Sequence, residues 1–599
     1  IYTGEDTLSL HDALPIWLLF MILRRLLLMN QQEILILKML SMLCLFLRNF
    51  IVKEKHWLLQ HTMIESLIAW TNEWLLLEMD EFFLIELDDM QQNRNEAHNF
   101  FRKSLWLYFF TFLAAPLGYF IKIVITNGLS VADVGLIYWV LSLILLLSTY
   151  NDLGLTEALN YYLPRYRLEG EAGIKRTKTL LLVTFIAQLT SATLITLWLY
   201  FSRDFLSLHL FHTSDAANVI IGFIPYFFLV NIFQMTTTMF MSYEEPKYPK
   251  LAEFLRQFTS LMILVWLFFG GHAHMASVLW SFNIGLLIGT CILFILAFRS
   301  YTSTLLSVTG ISRDMSEYRE ISRYALWVLF TANVGVVLSQ IDMQIITAYL
   351  GTESAGYYSM YLSLISIPFL ITTPIFGLYL PMLARYFKAW NNIGVQNLYT
   401  FFLTYLSIFA LWTSVYLFVF SKDLAVAFFW EKFAFSGDIL RISVPFLVVN
   451  LLLQLDFNSL ASIGQIKVRA KALVIWLMCN IPLTLTMIPM FGVQGAALAV
   501  GLSWIVIAFV AHRAIPFESR SPDWKVIMKT SIGISSLLLV LLPILWYQSI
   551  WDISTWNIRW DAILSLGFGA LLFILMFVLF HHREFRSIAS LIRRGKQEE

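Results

Sequence analysis

The chain has 599 residues, of which 58% are hydrophobic and 14% charged, and its net charge is +1. An ordinary soluble domain carries roughly 25% charged residues, so a soluble globular chain is excluded. Fifty Phe and 20 Trp suit a lipid-facing surface with aromatic belts at its edges. Cys44, Cys291 and Cys479 show no pairing or metal-ligand spacing, so neither a disulfide framework nor a metal site is expected.

Residues 1–98 stand apart from the rest. Trp17–Phe50 is apolar but broken by Arg24, Arg25 and Lys38, which leaves no clean run of about 20 residues to cross a bilayer. Glu78, Asp80, Glu81, Glu86, Asp88 and Asp89 make the following stretch acidic. The segment reads as a non-native extension, with a surface or regulatory segment as the alternative. Met90, ahead of Arg102 and Lys103, reads as a natural start.

From Ser104 onward the chain divides into about 14 apolar spans, each near bilayer length. They centre on 104–126, 134–153, 179–201, 217–241, 255–271, 276–298, 325–349, 355–378, 399–420, 438–463, 472–490, 494–512, 528–548 and 561–580. Lipid offers no hydrogen bonds to an open strand edge, so these runs are helices. Every second loop is basic, with Arg165, Arg167, Lys175, Arg176 and Lys178, then Lys247, Lys250 and Arg256, then Arg299, Arg313, Arg319 and Arg323. The series continues through Arg385 and Lys388 to Lys467, Arg469 and Lys471, and on to Arg513 and the tail. Cations stay on the cytoplasmic side, so both ends of the span-bearing core are expected there. The alternation accounts for the basic loops without a nucleic-acid partner, and no patch interleaves basic and aromatic residues.

An internal repeat divides the core. Ile121–Ile144 and Asp342–Ile365 are identical at eight of 24 positions, including Thr126/Thr347, Leu129/Leu350, Gly135/Gly356 and a shared Leu-Ser-Leu-Ile. Parallel repeats of this kind mark many transporters. The expected fold is an all-α polytopic membrane protein, with two six-helix bundles as a parallel pseudo-repeat plus an extra helix pair. Its parts are an N-lobe over residues 99–298, a basic linker over 299–324, a C-lobe over 325–512, and spans 13–14 with the tail over 513–599. Rocking one bundle against the other would open a central cavity to each side in turn.

Ionisable groups inside spans are costly and mark a pathway or a partner. Lys122 in span 1 and Arg441 in span 10 are candidate substrate-binding cations; the alternative is that each anchors an interface. Asp342, Gln340 and Asp456 are candidate coupling or cavity-lining groups. Lys122 and Asp342 either pair across the two halves, or Asp342 packs among Asn333, Gln340 and Gln344. Asp456 either relays an ion or pairs with Lys467. There is no Walker-type phosphate loop and no catalytic constellation, so neither a nucleotide cofactor nor enzyme chemistry is expected, and an ion gradient, the membrane potential or the substrate's own gradient would drive transport.

Three motifs carry a family resemblance: Gly135-Leu136-Ile137, Asp152-Leu153-Gly154-Leu155, and the exit Tyr162-Leu163-Pro164-Arg165-Tyr166. Together they resemble the bacterial oligosaccharide–lipid flippases, in the superfamily that includes the multidrug and toxin extruders. The likeness runs from about residue 99 to the end, and Ile137 stands where an aromatic is usual. It implies a flippase for polyprenyl-pyrophosphate-linked oligosaccharide in the bacterial inner membrane, serving cell-surface polysaccharide synthesis. Expected partners are that lipid-linked oligosaccharide and membrane lipids, with the pathway's glycosyltransferases and polymerase as further candidates. Two other readings stay within the superfamily, a drug:cation antiporter and a peptidoglycan-precursor flippase.

Overall fold

The computed structural model describes residues 109–535, apart from 112, 209–212, 214, 313–314, 332–333, 389–391, 518–521 and 523, together with 566–567 and 570–571. Expectations for residues 1–98, for most of span 13 and for nearly all of span 14 lie outside the described residues. Within them every long element is helical. The first half contains α1 (Phe109–Gly128), α2 (Val131–Asn151), α3 (Leu155–Tyr166), α4 (Gly170–Leu206), α5 (Asp215–Ser242), α6 (Lys247–Phe269) and α7 (Met275–Leu306). The second half contains α8 (Met315–Thr331), α9 (Val334–Ile365), α10 (Ile367–Lys388), α11 (Asn392–Val419), α12 (Ser421–Phe429), α13 (Ala434–Ser462) and α14 (Ile466–Arg513).

Ten described helical stretches are long and apolar enough to cross a membrane. Two of these, Ser339–Lys388 and Lys467–Arg513, each hold two of the expected spans. The first breaks at Gly351, where φ is 82°, a conformation that costs glycine nothing and a side-chain-bearing residue about 1–2 kcal/mol. The second breaks at Gly492. In the first half the equivalent turn is capped differently: Ser130 Oγ accepts from the Asp133 backbone N–H at 3.2 Å and so starts α2.

The exit after span 2 is not the loop its cations suggested. It is the amphipathic helix α3, whose Leu155, Ala158, Leu159, Tyr162, Leu163 and Tyr166 are all buried. Their spacing of three and four residues puts them on one face. Asp152 accepts from the Thr156 backbone N–H at 3.0 Å and from the Thr156 hydroxyl, holding the first turn of α3. Gln188 Nε2 of α4 donates to the same oxygen at 2.8 Å.

The two halves share their main core. Ile125, Leu136, Trp139 and Ile144 from the first pack in one cluster with Met343, Ile346, Tyr361 and Leu364 from the second. Its centre is a crossing of α2 and α9 in which the repeated glycines meet. A Cβ on Gly135 would overlap the Thr352 carbonyl oxygen, and one on Gly356 would overlap the Val131 carbonyl oxygen. The offset of 221 residues that aligns Gly135 with Gly356 also aligns Val131 with Thr352, so the contact is reciprocal. Small residues at such a crossing let backbones approach where no hydrophobic drive favours association.

At the end of the bundle bearing the cation-poor connections, Lys432 Nζ donates to the Leu129 and Asn127 carbonyls at 2.6 and 3.3 Å. At the opposite, basic end, α3 packs on α8: Gly154 leaves room for the Ala325 carbonyl, and Tyr161 stacks on Tyr324 at 4.8 Å. Gly135→Val and Gly356→Val should each destabilise the purified protein by about 1–3 kcal/mol through overpacking. Gly118→Ala, where an added Cβ finds only Gln257 Oε1 at 3.7 Å, should leave the melting temperature in detergent nearly unchanged.

Candidate functional site

A cavity of about 410 Å³ opens inside the first half. Its walls come from α1 (Gly118, Ile121, Lys122), α2 (Tyr138, Leu141, Leu145), α5 (Tyr226, Val230, Phe233, Gln234), α6 (Glu253, Arg256, Gln257, Ser260) and α7 (Phe282, Leu286). The shape is that of a mostly apolar pocket with a few convergent polar groups. Its charged groups are two cations, Lys122 and Arg256, and one carboxylate, Glu253.

Arg256 is the residue that sequence reasoning placed wrongly. The basic-loop pattern puts it among the loop cations, yet α6 begins nine residues earlier, at Lys247. The signal was present: Glu253, Arg256, Gln257 and Ser260 recur at three- and four-residue spacing on an apolar helix, which puts them on one face. That face is pressed close to α7. A Cβ on Gly285 would overlap Ser260 Oγ, and one on Gly289 would stand 2.9 Å from the Arg256 Cβ. The two glycines, four residues apart, form a groove for α6 and so fix Arg256 against the cavity. Glu253 holds the guanidinium in a fork, with Oε1···Nη2 at 2.6 Å and Oε2···Nε at 3.0 Å. Gln257 donates to the same carboxylate at 2.7 Å, while its own carbonyl oxygen has no hydrogen-bond partner among the described residues.

Lys122 joins this cavity to the second half. Its ammonium donates to the Ser363 hydroxyl of α9 and lies 5.3 Å from the Tyr138 ring centroid. One turn earlier, Tyr119 donates to the Ser363 carbonyl at 2.9 Å and lies 3.0 Å from Ser366 Oγ. Gln344 donates to Ser142 Oγ at 3.1 Å, linking α9 to α2. The contact between halves is therefore polar as well as close-packed.

The structure does not bring Lys122 and Asp342 together, and among the described residues no ion pair joins them. Asp342, 5% exposed, instead accepts from Asn480 Nδ2 at 2.9 Å and from Thr484 Oγ1 at 3.4 Å, both on α14. Ser503 donates in turn to Asn480 Oδ1 at 3.3 Å. A buried carboxylate in a span needs donors, and these come from a helix some 140 residues downstream. Gln340 turns its amide onto Ser339 at 3.2 Å, while its backbone carbonyl accepts from Ser142 at 3.4 Å. Asn333 lies outside the described residues.

Arg441 is set apart from the cavity: its Nε donates to Ser421 of α12 at 3.1 Å, and its guanidinium lies 5.9 Å from the Phe418 ring. Asp456 does not pair with Lys467. Its partners are Tyr399 at 2.7 Å and His512 at 3.2 Å. The described residues hold no cluster of three metal-ligating side chains.

The fold and this cavity can be set beside known proteins. Residues 100–387 match the family model described as polysaccharide biosynthesis protein. Over that segment the chain is similar to this family. An uncharacterized membrane protein of Methanocaldococcus jannaschii is 22% identical over 457 residues, covering 72% of this chain and 87% of its own. The lipid II flippase MurJ, in an inward closed conformation, matches with a TM-score of 0.60 at 15% identity, over 80% of this chain and 100% of its own. An inward-facing MATE-family multidrug resistance transporter matches with a TM-score of 0.56 at 13% identity, over 70% and 95%. The chain is thus a multi-pass membrane protein whose fold resembles that of these two transporters.

At the basic end, Tyr162 donates to Glu320 Oε1 of α8 at 3.2 Å. Burial, with the Glu320 carboxylate beside it, pushes the Tyr162 hydroxyl up to about 12, so it stays protonated and able to donate across the neutral range. Tyr162→Phe should lower stability by about 0.5–1.5 kcal/mol, the net worth of one hydrogen bond. Asp152→Ala, which removes the acceptor for the Thr156 N–H in the first turn of α3, should cost a further ~1 kcal/mol. Thermal melts of the two single variants and the double variant in detergent check both, and the two losses should add.

Proposed function

We propose that the chain moves a polyprenyl-pyrophosphate-linked oligosaccharide across the bacterial inner membrane by alternating access, in the synthesis of a cell-surface polysaccharide. The observation that carries this reading is the placement of Lys122 and Arg256 on one cavity, in a fold shared with flippases. A pyrophosphate is a dense anion, and Arg binds it through a planar fork while Lys binds it as a point charge. The headgroup and sugars would occupy the polar space while the polyprenyl tail stays in lipid. The cation-rich connections support a cytoplasmic basic end. The N-lobe, linker and C-lobe are then the two moving bodies and their joint, and glycosyltransferases and a polymerase would act before and after transport.

Glu253 already neutralises Arg256 in the structure described, so the incoming anion would compete with it for the guanidinium. Lys122 has a neutral partner in Ser363 and can be recruited without breaking an ion pair. Asp342 and Gln340, beside the contact between halves, are proposed as polar groups that tune it; Arg441, held on Ser421, would act at the far mouth. A drug:cation antiporter of the same superfamily would require an acidic cavity, and two cations against one carboxylate favour an anionic cargo instead.

Surface polysaccharide measured in cells carrying this gene as the sole copy tests the reading. Lys122→Ala and Arg256→Ala should each reduce it by about tenfold or more, given roughly 1.5–3 kcal/mol for a hydrogen bond to a charged group. Lys122→Arg should retain most of it. Unchanged polysaccharide in both alanine variants, with the protein still present in the membrane, sinks the assignment.

A further inference from the structure

Three helices of the second half converge on one carboxylate near the basic end. Asp456 of α13 is 4% exposed. Tyr399 of α11 donates to its Oδ1 at 2.7 Å, and Nδ1 of His512, in the last turn of α14, stands 3.2 Å from its Oδ2. Tyr399 Oη and His512 Nδ1 are 3.4 Å apart. The tyrosine hydroxyl has a single proton, which goes to Asp456. An ionised carboxylate only accepts, so a proton must lie between Asp456 and His512, on Nδ1 or on the acid. The His512 side chain is 39% exposed against 5% for Asp456, so the imidazole connects the dry acid to solvent.

The surrounding charges are turned elsewhere. Arg469 of α14 lies 5.5 Å from the Phe457 ring centroid and Arg513 lies 4.4 Å from that of Phe509. Arg385 of α10 lies 5.8 Å from that of Tyr386. Lys467 and Lys471 form no ion pair among the described residues. Tyr379 of α10 adds only a neutral hydroxyl, 2.6 Å from Ser459 Oγ, one turn along from Asp456. Among the described ion pairs, compensation of Asp456 falls to His512.

We propose that Tyr399, Asp456 and His512 form a proton-binding site that fastens the basic ends of α11, α13 and α14 together when occupied and frees them when empty. With the ring doubly protonated, imidazolium and carboxylate neutralise each other between the helices. Loss of one ring proton to solvent leaves the Asp456 charge uncompensated in a nearly dry place, a costly state that draws water in and parts the helices. The sign follows from charge alone: the fastened state needs the ring's second proton, so it is favoured at low pH and disfavoured at high pH. Joined to the translocation reading, on which this last step alone rests, the site makes opening of the basic end answer to a proton gradient.

Hydrogen exchange of the full chain in lipid nanodiscs, corrected for intrinsic rates, tests the site without substrate. Between about pH 5.5 and about pH 8.5, a range that brackets histidine titration, protection over residues 392–402, 456–470 and 505–517 should fall. The steepest slope should be about tenfold per pH unit, the limit for one proton. His512→Gln and Asp456→Asn should abolish that dependence, and Tyr399→Phe should keep it with a smaller amplitude. No dependence in the wild type, or an unaltered one in His512→Gln, overturns the proposal. In proteoliposomes, movement of a fluorescent polyprenyl-pyrophosphate-linked sugar should respond to an imposed pH gradient in the wild type and not in His512→Gln. Exchange that behaves as expected without any movement of the probe upholds the site and sinks the translocation reading; movement without the exchange signature does the reverse.

Discussion

Everything in this bundle depends on two backbones lying against each other without side chains between them. At Gly135 and Gly356 the carbonyls of Thr352 and Val131 occupy space that any Cβ would claim. In lipid, where apolar surface gains little by leaving one greasy neighbour for another, such close approach is what holds helices together. The crossing brings α1 and α2 against α9, and from it follow the reach of Lys122 to Ser363 and of Gln344 to Ser142. The same device recurs at Gly285 and Gly289, where α7 admits α6 and sets Arg256 at the cavity wall.

Charge placement then separates two kinds of polar site. The first-half cavity holds two cations beside one carboxylate, with an amide oxygen of Gln257 left unpartnered among the described residues, as the proposed anionic, hydrogen-bonding guest would require. The second half buries carboxylates: Asp342 among amide and hydroxyl donors, and Asp456 between a phenol and an imidazole. Neutral donors satisfy a carboxylate without removing its charge, whereas the imidazole can remove it by taking up a proton.

Much of the architecture was legible in the sequence because a bilayer leaves few alternatives. Long apolar runs marked the spans, and the aligned glycines marked a repeat, though not the crossing in which they meet. What escaped was of two kinds. Arg256 and α3 were written in helical spacing but masked by the assumption that a cation near a span end belongs to a loop. The partners of Asp342, Asp456 and Lys122 were not readable at all. Asn480, His512 and Ser363 lie 138, 56 and 241 positions away, and no local pattern ties such distant residues. Pairing Lys122 with Asp342 was reasonable from the repeat, since both sit near one depth; helix rotation decided otherwise, aiming Asp342 at α14.

The single-residue breaks at Gly351 and Gly492 carry a mechanical consequence. A connection that short cannot lengthen, and beyond Gly492 the chain folds back so tightly that a Cβ on Gly495 would overlap the Met487 carbonyl oxygen. The two spans of α14 are thus shackled into a stiff hairpin. Any large displacement of one lobe against the other therefore carries the two spans of each such hairpin together.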